Sequence, residues 1–504
     1  MILDKEAREK LKKGVAKLRS AVEVTLGPCG HNVILYDNMG TPYATKDGIS
    51  VAKKVFSNDT YENAGISIVR EASLKTAELA GDGTTTTCIL ADYMIQHGDK
   101  NITPEYISDM RDALKDVVEE IKMRKIDISN DYKMLAKVAT ISAKSEEIGN
   151  LVASAFEKAG ENGTVLFEES ATSQTYIDES IGTIIERGYV DKTFVNDTKN
   201  MTVVYNNPAF LFIDDRVDKF STIESYLSTF ANQNKDVVIF AHDYSSEVIR
   251  LLALNDKRGI IKVVPIQTEG TGNNKGEFIK DIAALVEATK ATNKEGVYYG
   301  GTCDKITVYG TKTIIVKEGE YSEGFKHRVE LAKSLIDCVE DLPTKDYYRK
   351  KLAKLVGRLC TIKVGGFTPA EVREKYDRVE DAVCAAKAAL AEGVVPGGGV
   401  LFYRLADKLT WNKPFPGYQL VLDAICQPML TLAKNSNYPK NNWHKLEGYQ
   451  TIDFSGYGTT PVDAIKEGIL DPAKVLRVSL EHAVAVAILI LNTKCIIEQN
   501  ENTF

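Results

Sequence analysis

Gly81-Asp82-Gly83-Thr84-Thr85-Thr86-Thr87 is the strongest local signal in this chain of 504 residues, between helical patterns at about 63–79 and 88–97. Glycines let a backbone approach a ligand closely. The start of the following helix points free N–H groups at the turn, which favours an anion. Asp82 suits Mg²⁺, which prefers carboxylate and phosphate oxygens. The heptad therefore predicts a phosphate-binding turn, although it lacks the P-loop pattern; an ordinary capped turn is the alternative.

Three further turns have similar residues. Pro396-Gly397-Gly398-Gly399 lies between helical patterns, and three glycines suit a close approach by a ligand or another chain. Thr25-Leu26-Gly27-Pro28 follows the first helical pattern, and Thr45-Lys46-Asp47-Gly48 follows a hairpin pattern. Lys46 suits contact with phosphate, and Asp47 suits orientation of a water molecule. Taken one at a time, these turns also fit ordinary solvated loops.

Two acidic residues lie near predicted helix starts. Asp381 is early in an Ala-rich helix that ends at Gly393, and Asp471 precedes Pro472. A helix N-terminus favours acidic residues, and Asp before a proline at the first helical position is expected to be a cap. These residues alone leave functional and structural interpretations open.

Composition excludes several classes of protein. Hydrophobic residues are 44% and charged residues 26%, as in globular proteins, and a length of 504 predicts about three domains. Lys+Arg is 63 and Asp+Glu is 70, a net charge of −7 that argues against bulk nucleic-acid binding. No segment reaches the about 18 apolar residues of a membrane helix, and no targeting segment is evident.

The cysteines and histidines are dispersed along the chain. There are 8 Cys and 6 His, with no Cys-x-x-Cys and no zinc-type spacing. This pattern predicts free thiols in a reducing cytoplasm and gives no support for a zinc site or a catalytic Cys–His pair.

The predicted elements change character in the middle of the chain. Helical patterns there, such as 247–256 and 277–289, separate strand patterns at 208–213, 236–240, 259–264 and 313–317. This alternation predicts an α/β domain over about 182–357 between mainly helical segments. The order is compatible with an α/β domain inserted into a helical one.

Together, the turns resemble the group I chaperonins, the bacterial GroEL/Hsp60 family. Any single match is weak, but the ordered set covers almost the whole chain and is specific. Lys46 and the lack of a long apical protrusion favour group I over the archaeal and eukaryotic group. The matching stretches are Thr25-Leu-Gly-Pro28, Thr45-Lys-Asp-Gly48, Gly81-Asp-Gly-Thr-Thr-Thr86, Thr140-Ile-Ser-Ala143, Glu186-Arg-Gly-Tyr189, Arg378-Val-Glu-Asp-Ala382, Glu392-Gly-Val-Val395 with Gly397-Gly-Gly399, and Gly468-Ile-Leu-Asp-Pro472.

The resemblance implies a multidomain α and α/β chaperonin fold. Gly182 and Gly357 match the family's hinges, where glycine absorbs large backbone rotations. The implied domains are a helical equatorial ATP-binding domain (1–125 and 393–504), a small intermediate hinge domain (126–181 and 358–392) and an inserted α/β apical substrate-binding domain (182–357).

It also implies a nucleotide site for ATP with Mg²⁺, and K⁺ as a further candidate. Asp381 would position the attacking water with the help of Asp47, in keeping with phosphoryl transfer, where a protein mainly positions groups and offsets charge. Asp82 would bind Mg²⁺ and Asp471 the ribose. The phosphate contacts would be Gly83, Thr84, Thr85 and Thr86, and the other pocket residues Thr25, Leu26, Gly27, Pro28, Lys46 and Gly398.

The partners that the resemblance implies are copies of the chain and unfolded polypeptides. The hairpin at about 32–45 and the strand pattern at 495–498 match segments that pair between neighbours in a ring, usually of seven subunits. A lid co-chaperonin would share the client surface, and its requirement stays open. The residues matching the client-binding positions are Tyr189, Phe194, Leu227, Ile249, Ala253 and Leu254, with buried core as the alternative for some of them.

Several positions depart from the family pattern. Glu224 lies where the client groove is apolar, and Thr193 replaces an aromatic residue. Pro369 replaces a glutamate that pairs with the arginine matching Arg187 in a neighbouring subunit. The adenine-side segment 448–460 is also altered. These departures predict a divergent member, with a bacteriophage or a reduced genome as its suggested source.

Three functions follow from these observations. The leading hypothesis is an ATP-dependent chaperone, in a bacterial or phage-infected cytoplasm, that captures non-native polypeptides on a ring and promotes their folding through ATP hydrolysis. The second is a ring-forming holdase or assembly factor without encapsulated folding. The third, a metabolic ATPase or kinase, does not explain the ordered motifs.

Overall fold

The computed structural model consists of two compact units, a helical unit of Met1–Ser154 with Gly366–Phe504 and an α/β unit of Ala155–Gly365. The predicted division into three domains stays a prediction. The expected hinge residue Gly357 lies outside the described residues. The structure describes residues 2–36, 40–99, 102–160, 163–170, 172–198, 200–270, 272, 274–292, 295–317, 322–339, 341, 344, 348, 351–352, 358–410, 414–437, 446, 448, 450–455 and 461–497.

The amino-terminal part of the chain is helical, with short strands at its edge. Strand β1 (Ile2–Leu3) pairs antiparallel with a carboxy-terminal strand, and β2 (Val33–Tyr36) pairs with β3 (Pro42–Thr45) in the predicted hairpin. The described helices are α1 (Asp4–Val22), α2 (Gly48–Lys54), α3 (Thr60–Ala80), α4 (Thr84–His97), α5 (Pro104–Arg124), α6 (Tyr132–Ala143) and α7 (Glu146–Ala159).

The α/β unit contains two sheets. One has the order β10-β11-β7-β8-β9, with β7, β8 and β9 parallel; the other has the order β4-β14-β5-β13-β12-β6. Helices α8 (Glu224–Asn232), α9 (Ser246–Lys257), α10 (Asn274–Leu285) and α11 (Glu323–Cys338) accompany them. The strands are β4 (Thr164–Glu169), β5 (Tyr176–Ile185), β6 (Val203–Asn206), β7 (Ala209–Val217), β8 (Val237–Tyr244), β9 (Val263–Gln267), β10 (Thr289–Lys290), β11 (Val297–Gly300), β12 (Lys305–Val308), β13 (Thr313–Lys317) and β14 (Arg358–Val364).

The carboxy-terminal part completes the helical unit. Its strands β15 (Val394–Pro396) and β18 (Leu470–Pro472) pair antiparallel, as do β16 (Gln450–Thr451) and β17 (Val462–Asp463), and β19 (Cys495–Ile496) is the partner of β1. The described helices are α12 (Pro369–Glu392), α13 (Val400–Leu409), α14 (Pro416–Ile425), α15 (Gln427–Asn435), α16 (Ala464–Glu467) and α17 (Ala473–Leu491).

Helical periodicity correctly predicts the core of the helical unit. The α1 stripe Leu11, Val15, Leu18 and Val22 is at most 1% exposed. The apolar run 483–491 belongs to α17, which packs against α3, α4 and α5. None of the described helices is long and apolar enough to cross a membrane. All eight cysteines are free thiols, as predicted.

The helix that contains Asp381 begins earlier than predicted. It is α12 (Pro369–Glu392), so Asp381 lies near its middle and the explanation by a helix N-terminus is wrong.

Two predictions in the α/β unit also need correction or a different explanation. The strand predicted over 259–264 begins only at Val263, because Gly259, at φ 68°, belongs to the turn that follows α9. Gly182 lies within β5, paired with Val316. A β-carbon at Gly182 would overlap the Ile315 carbonyl oxygen, so close packing accounts for this glycine without invoking a hinge.

Candidate functional site

The heptad forms a tight turn between α3 and α4. Gly81 ends α3 at φ 78°, and Gly83 precedes α4 at φ 98°. Both angles are in the left-handed region that favours glycine. No side-chain hydrogen bond caps the start of α4 among the described residues. The first N–H groups of α4 therefore keep the free donors that bind an anion at a helix N-terminus.

The packing around this turn explains why both positions need glycine. A β-carbon at Gly83 would overlap the Ser479 Oγ and would lie 3.1 Å from a Thr76 methyl carbon and from a Val475 methyl carbon. A β-carbon at Gly81 would lie 2.5 Å from that of Cys384. Neighbouring helices thus hold the backbone of the turn from several sides.

The threonines form the first turn of α4 itself. The sequence prediction, which started this helix at Cys88, is therefore wrong by one turn. Thr84 is 3% exposed, and its Oγ1 has no hydrogen-bond partner among the described residues. A buried polar group without a partner costs about 1–3 kcal/mol. An oxygen-rich ligand at the turn would offset this cost, and Thr84 therefore fits the predicted phosphate contact.

The turns after α1 and β3 come together beside α4. A β-carbon at Gly48 would overlap the Thr85 Oγ1 and lie 3.7 Å from the Thr25 Oγ1. The Thr25 hydroxyl donates to the Val22 carbonyl at 2.8 Å. Gly27 follows at φ 82°. The structure thus brings the predicted residues Thr25, Gly48 and Thr85 into one place.

Asp47 has a structural role in the same region. Its carboxylate caps α2 by accepting the N–H groups of Ile49 and Ser50 at 2.9 and 2.8 Å. It also lies close enough to Asp82 and Asp381 for its charge to raise the pKa of both. The cap therefore holds the Asp47 side chain in place beside the other two carboxyl groups.

Carboxylates dominate the electrostatics of the site. Burial, and then the charges of Asp82 and Asp47, raise the pKa of Asp381 to about 8. The pKa of Asp82 is also raised, first by burial and then by Asp47. Both side chains keep an exposed face, but protein atoms crowd around their carboxyl groups. Bringing these groups together without a cation favours their protonated forms.

The Asp82 carboxylate fits Mg²⁺ through shared coordination. Its Oδ1 accepts the Gly83 N–H at 2.5 Å. The described residues contain no group of three or more potential metal ligands. Mg²⁺ commonly binds one or two carboxylates and completes its shell with phosphate oxygens and water. Asp82, next to the predicted phosphate-binding turn, is compatible with that requirement.

Lys144 is a charged residue of the site that the sequence reasoning missed. It follows α6 in the left-handed conformation at φ 52°, which is uncommon for a residue with a side chain. Burial, then the Lys46 charge, lowers its pKa, and the charges of Asp381 and Asp82 oppose that effect. The sequence feature that could have identified Lys144 is its position directly after the matching stretch Thr140–Ala143.

Asp471 stabilises the glycine turn rather than capping a helix. Antiparallel pairing of β15 with β18 places Asp471 opposite Val395. Its carboxylate accepts the N–H groups of Gly398 and Gly399, while burial, then the Asp82 charge, raises its pKa to about 6. The prediction of a helix cap is therefore wrong, because α17 follows Pro472 without a side-chain cap.

Described residues of the altered segment 448–460 and residues near it contact the Thr25–Pro28 turn and the Gly397–Gly399 turn. The Thr451 hydroxyl is buried and donates to the Gly397 carbonyl at 2.8 Å. The Asn435 amide donates to the Leu26 carbonyl at 3.0 Å. The Cys29 thiol donates to the Phe454 carbonyl at 3.1 Å. The Thr25–Pro28 turn and the Gly398 turn thus share neighbours, while Tyr449 lies outside the described residues.

The expected client-binding residues of the α/β unit differ in exposure. Leu254 is 42% exposed, whereas Phe194 and Leu227 are 1% and 4% exposed and belong to the core. The core alternative therefore describes Phe194 and Leu227, because their side chains fill the space between the sheet and its helices. Tyr189, Ile249 and Ala253 are half-buried.

The raised pKa of Asp381 predicts a pH-dependent stability without nucleotide. Its unfolded value is about 3.9, so the folded state binds more protons between about pH 4 and pH 8, and stability must fall as pH rises through that window. Asp381→Asn cannot ionise at this position. Its melting temperature should therefore exceed that of the wild type by an amount that grows by a few degrees from pH 5.5 to pH 9.

Thermal melting from pH 5.5 to pH 9 measures this difference. Glu374→Gln is the matched control, since Glu374 is on the same helix, is exposed and pairs with Arg378. A melting difference between wild type and Asp381→Asn that does not change with pH would contradict the electrostatic account of the site.

Comparisons with known proteins agree with this architecture. The family model described as "TCP-1/cpn60 chaperonin family" matches residues 18–501. The chain is also similar to crystal structures of the chaperonin gp146 from the bacteriophage EL 2 (Pseudomonas aeruginosa) in the presence of ATP-BeFx. Crystal form II gives a TM-score of 0.74 at 19% identity, covering 99% of both chains. Crystal form I gives 0.68 at 20% identity, again covering 99% of both chains. The predicted chaperonin fold is confirmed, and the chain belongs to the TCP-1/cpn60 chaperonin family.

Proposed function

We propose that this chaperonin binds ATP with Mg²⁺ at the turn before α4 and hydrolyses it to drive the capture, release and folding of non-native polypeptides. The observation that carries the proposal is the buried, unpaired Thr84 hydroxyl at an uncapped helix start. Three carboxylates lie around that start. This combination suits a polyphosphate bound together with a divalent cation.

Each side of the nucleotide has a proposed set of contacts. Asp82 binds Mg²⁺, which offsets the charge of the phosphates when it is present, and Asp471 is assigned to the ribose. Lys46 adds a positive charge, and K⁺ stays a candidate without support from the described residues. The phosphates contact the N–H or hydroxyl groups of Gly83, Thr84, Thr85 and Thr86, and the pocket is completed by Thr25, Leu26, Gly27, Pro28 and Gly398.

Asp381 is the proposed catalytic base. A carboxyl group with a pKa near the working pH is well suited to take a proton from an attacking water molecule, and a positioned base contributes about 10²–10⁴ in rate. Asp381 has such a pKa, about 8, in the nucleotide-free protein. Asp47 assists Asp381 in positioning the water molecule. Lys144 offsets part of the negative charge of the phosphates.

The proposed assembly is a homo-oligomeric ring, with seven subunits as the expected number. Clients bind exposed apolar residues of the α/β unit, among which Leu254 is the best supported and Tyr189, Ile249 and Ala253 contribute partly exposed surface. Phe194 and Leu227 are left out of this surface because they are core residues. A lid co-chaperonin remains a candidate partner.

Replacement of Thr84 should weaken nucleotide binding without lowering the stability of the protein. Thr84→Val keeps the shape and removes the unpaired hydroxyl, so unfolding without nucleotide should be unchanged or slightly harder. The affinity for Mg·ATP should fall about tenfold to a hundredfold, as expected for a lost hydrogen bond to a charged group. Calorimetric titration and thermal melting measure the two effects. Unchanged affinity would show that Thr84 does not contact the nucleotide.

Replacement of Asp381 tests the proposed chemistry. Asp381→Ala should bind ATP with nearly normal affinity and hydrolyse it about 10²–10⁴ times more slowly, because the water loses its base. Phosphate release and nucleotide binding are measured on the same preparations, with Glu374→Gln as the control. Near-normal turnover by Asp381→Ala would overturn the catalytic assignment.

A further inference from the structure

A row of buried hydrogen bonds lies beneath the phosphate turn and joins three helices. The Thr87 Oγ1 on α4 donates to the Thr76 Oγ1 on α3 at 3.0 Å. The Thr76 Oγ1 lies 2.8 Å from the Nδ1 of His482 on α17. Thr76 and Thr87 are both 0% exposed, and His482 is half-buried. Because buried groups are expensive to leave unpaired, this row constrains all three side chains.

Thr76 is the centre of this row. Its hydroxyl lies 3.0 Å from the Ala72 carbonyl oxygen and 2.8 Å from the His482 Nδ1. It also accepts the hydroxyl hydrogen of Thr87. The tautomer of the ring sets which atom donates between Thr76 and His482.

The surroundings of His482 keep the ring neutral near pH 7. Burial lowers its pKa, and Lys75 and Arg477 lower it further, whereas Glu481 and a hydrogen bond to the Ala72 carbonyl raise it. A neutral ring has one N–H donor and one acceptor nitrogen, so its Nδ1 is able to pair with the Thr76 hydroxyl in either role.

The same row touches the turn at several points. The Thr87 N–H donates to the Gly83 carbonyl at 2.9 Å and closes the first turn of α4. A Thr76 methyl carbon lies 3.1 Å from where a β-carbon on Gly83 would be. Ser479, one helical turn before His482 on α17, has its Oγ 3.5 Å from the same carbonyl oxygen. Movement of Thr76 would therefore displace Gly83 and the backbone N–H groups that follow it in α4.

We propose that His482 is a positioning residue for the nucleotide, which acts through Thr76 and Thr87 to hold the first turn of α4 in its anion-binding geometry. It does not touch the ligand. Its contribution is preorganisation, since a turn that is already ordered loses less entropy when it binds. The inference rests on the proposed binding of ATP phosphates at this turn.

Two variants of His482 test the inference. His482→Asn retains a side chain that both donates and accepts hydrogen bonds, and His482→Leu removes the hydrogen-bonding group. His482→Leu should raise the Kd for Mg·ADP and the KM for ATP about fivefold to tenfold, with kcat at saturation within about twofold, as expected for one net hydrogen bond. His482→Asn should restore both values to within about twofold of the wild type.

His97→Leu is the matched control. His97 is on α4, the helix that carries Thr87, but at its far end, where its Nδ1 lies 2.9 Å from the Tyr93 carbonyl oxygen. This variant should leave both constants unchanged. If His482→Leu does not fold, the pair Thr76→Val and Thr76→Ser replaces it, since only the serine keeps the central hydroxyl and only the valine should weaken binding.

The outcomes separate this inference from the proposed function. A wild type that binds no nucleotide would refute the proposed function. A wild type that binds normally, together with a folded His482→Leu that binds equally well, would overturn only the role of His482. Failure of His482→Asn to restore affinity in a folded protein would also overturn it, because the hydrogen bond at position 482 would then not be the property that matters.

Discussion

The left-handed backbone of Gly83 is the constraint on which the candidate site depends. It starts α4 without a side-chain cap and lies against Thr76, Val475 and Ser479, where a β-carbon has no room. Parts of the chain separated by about four hundred residues in sequence must therefore pack together before the turn acquires its shape. The folded helical unit thus holds the N–H donors at the start of α4 in place before a ligand binds. Binding therefore costs little conformational entropy in this turn.

The carboxyl groups around that turn lower the stability of the protein, and a bound cation would offset this effect. The charge of Asp47 raises the pKa of Asp82 and of Asp381, the charge of Asp82 also raises the pKa of Asp381, and Lys144 offsets only part of these effects. Together with the unpaired Thr84 hydroxyl, they leave the nucleotide-free protein less stable than its packing allows. Functional sites commonly retain such local cost because the ligand or the transition state reverses it. In this chaperonin, the groups that carry this cost are also those best suited to a cation and phosphates.

The sequence predicted the fold and much of the site because glycine turns and ordered motifs are local signals. The errors have a common cause, which is dependence on contacts between distant parts of the chain. The first turn of α4 was missed because threonine is a weak helix former and its glycine start depends on packing. Asp471 was taken for a helix cap because pairing of β15 with β18 is not visible locally. The core positions of Phe194 and Leu227 and the bond between Thr76 and His482 likewise depend on distant helices.

Recovery of a denatured, aggregation-prone enzyme tests the central claim, ATP-driven folding at this site, most directly. The yield of active enzyme would be measured with ATP, with ADP and with ATP plus a bacterial lid co-chaperonin, for both the wild type and Asp381→Ala. We predict recovery by the wild type with ATP, and its dependence on the lid would show whether that partner is required. Little recovery is expected with ADP or with Asp381→Ala. If the wild type only keeps the client soluble and nucleotide changes nothing, the account is contradicted and the protein is a holdase.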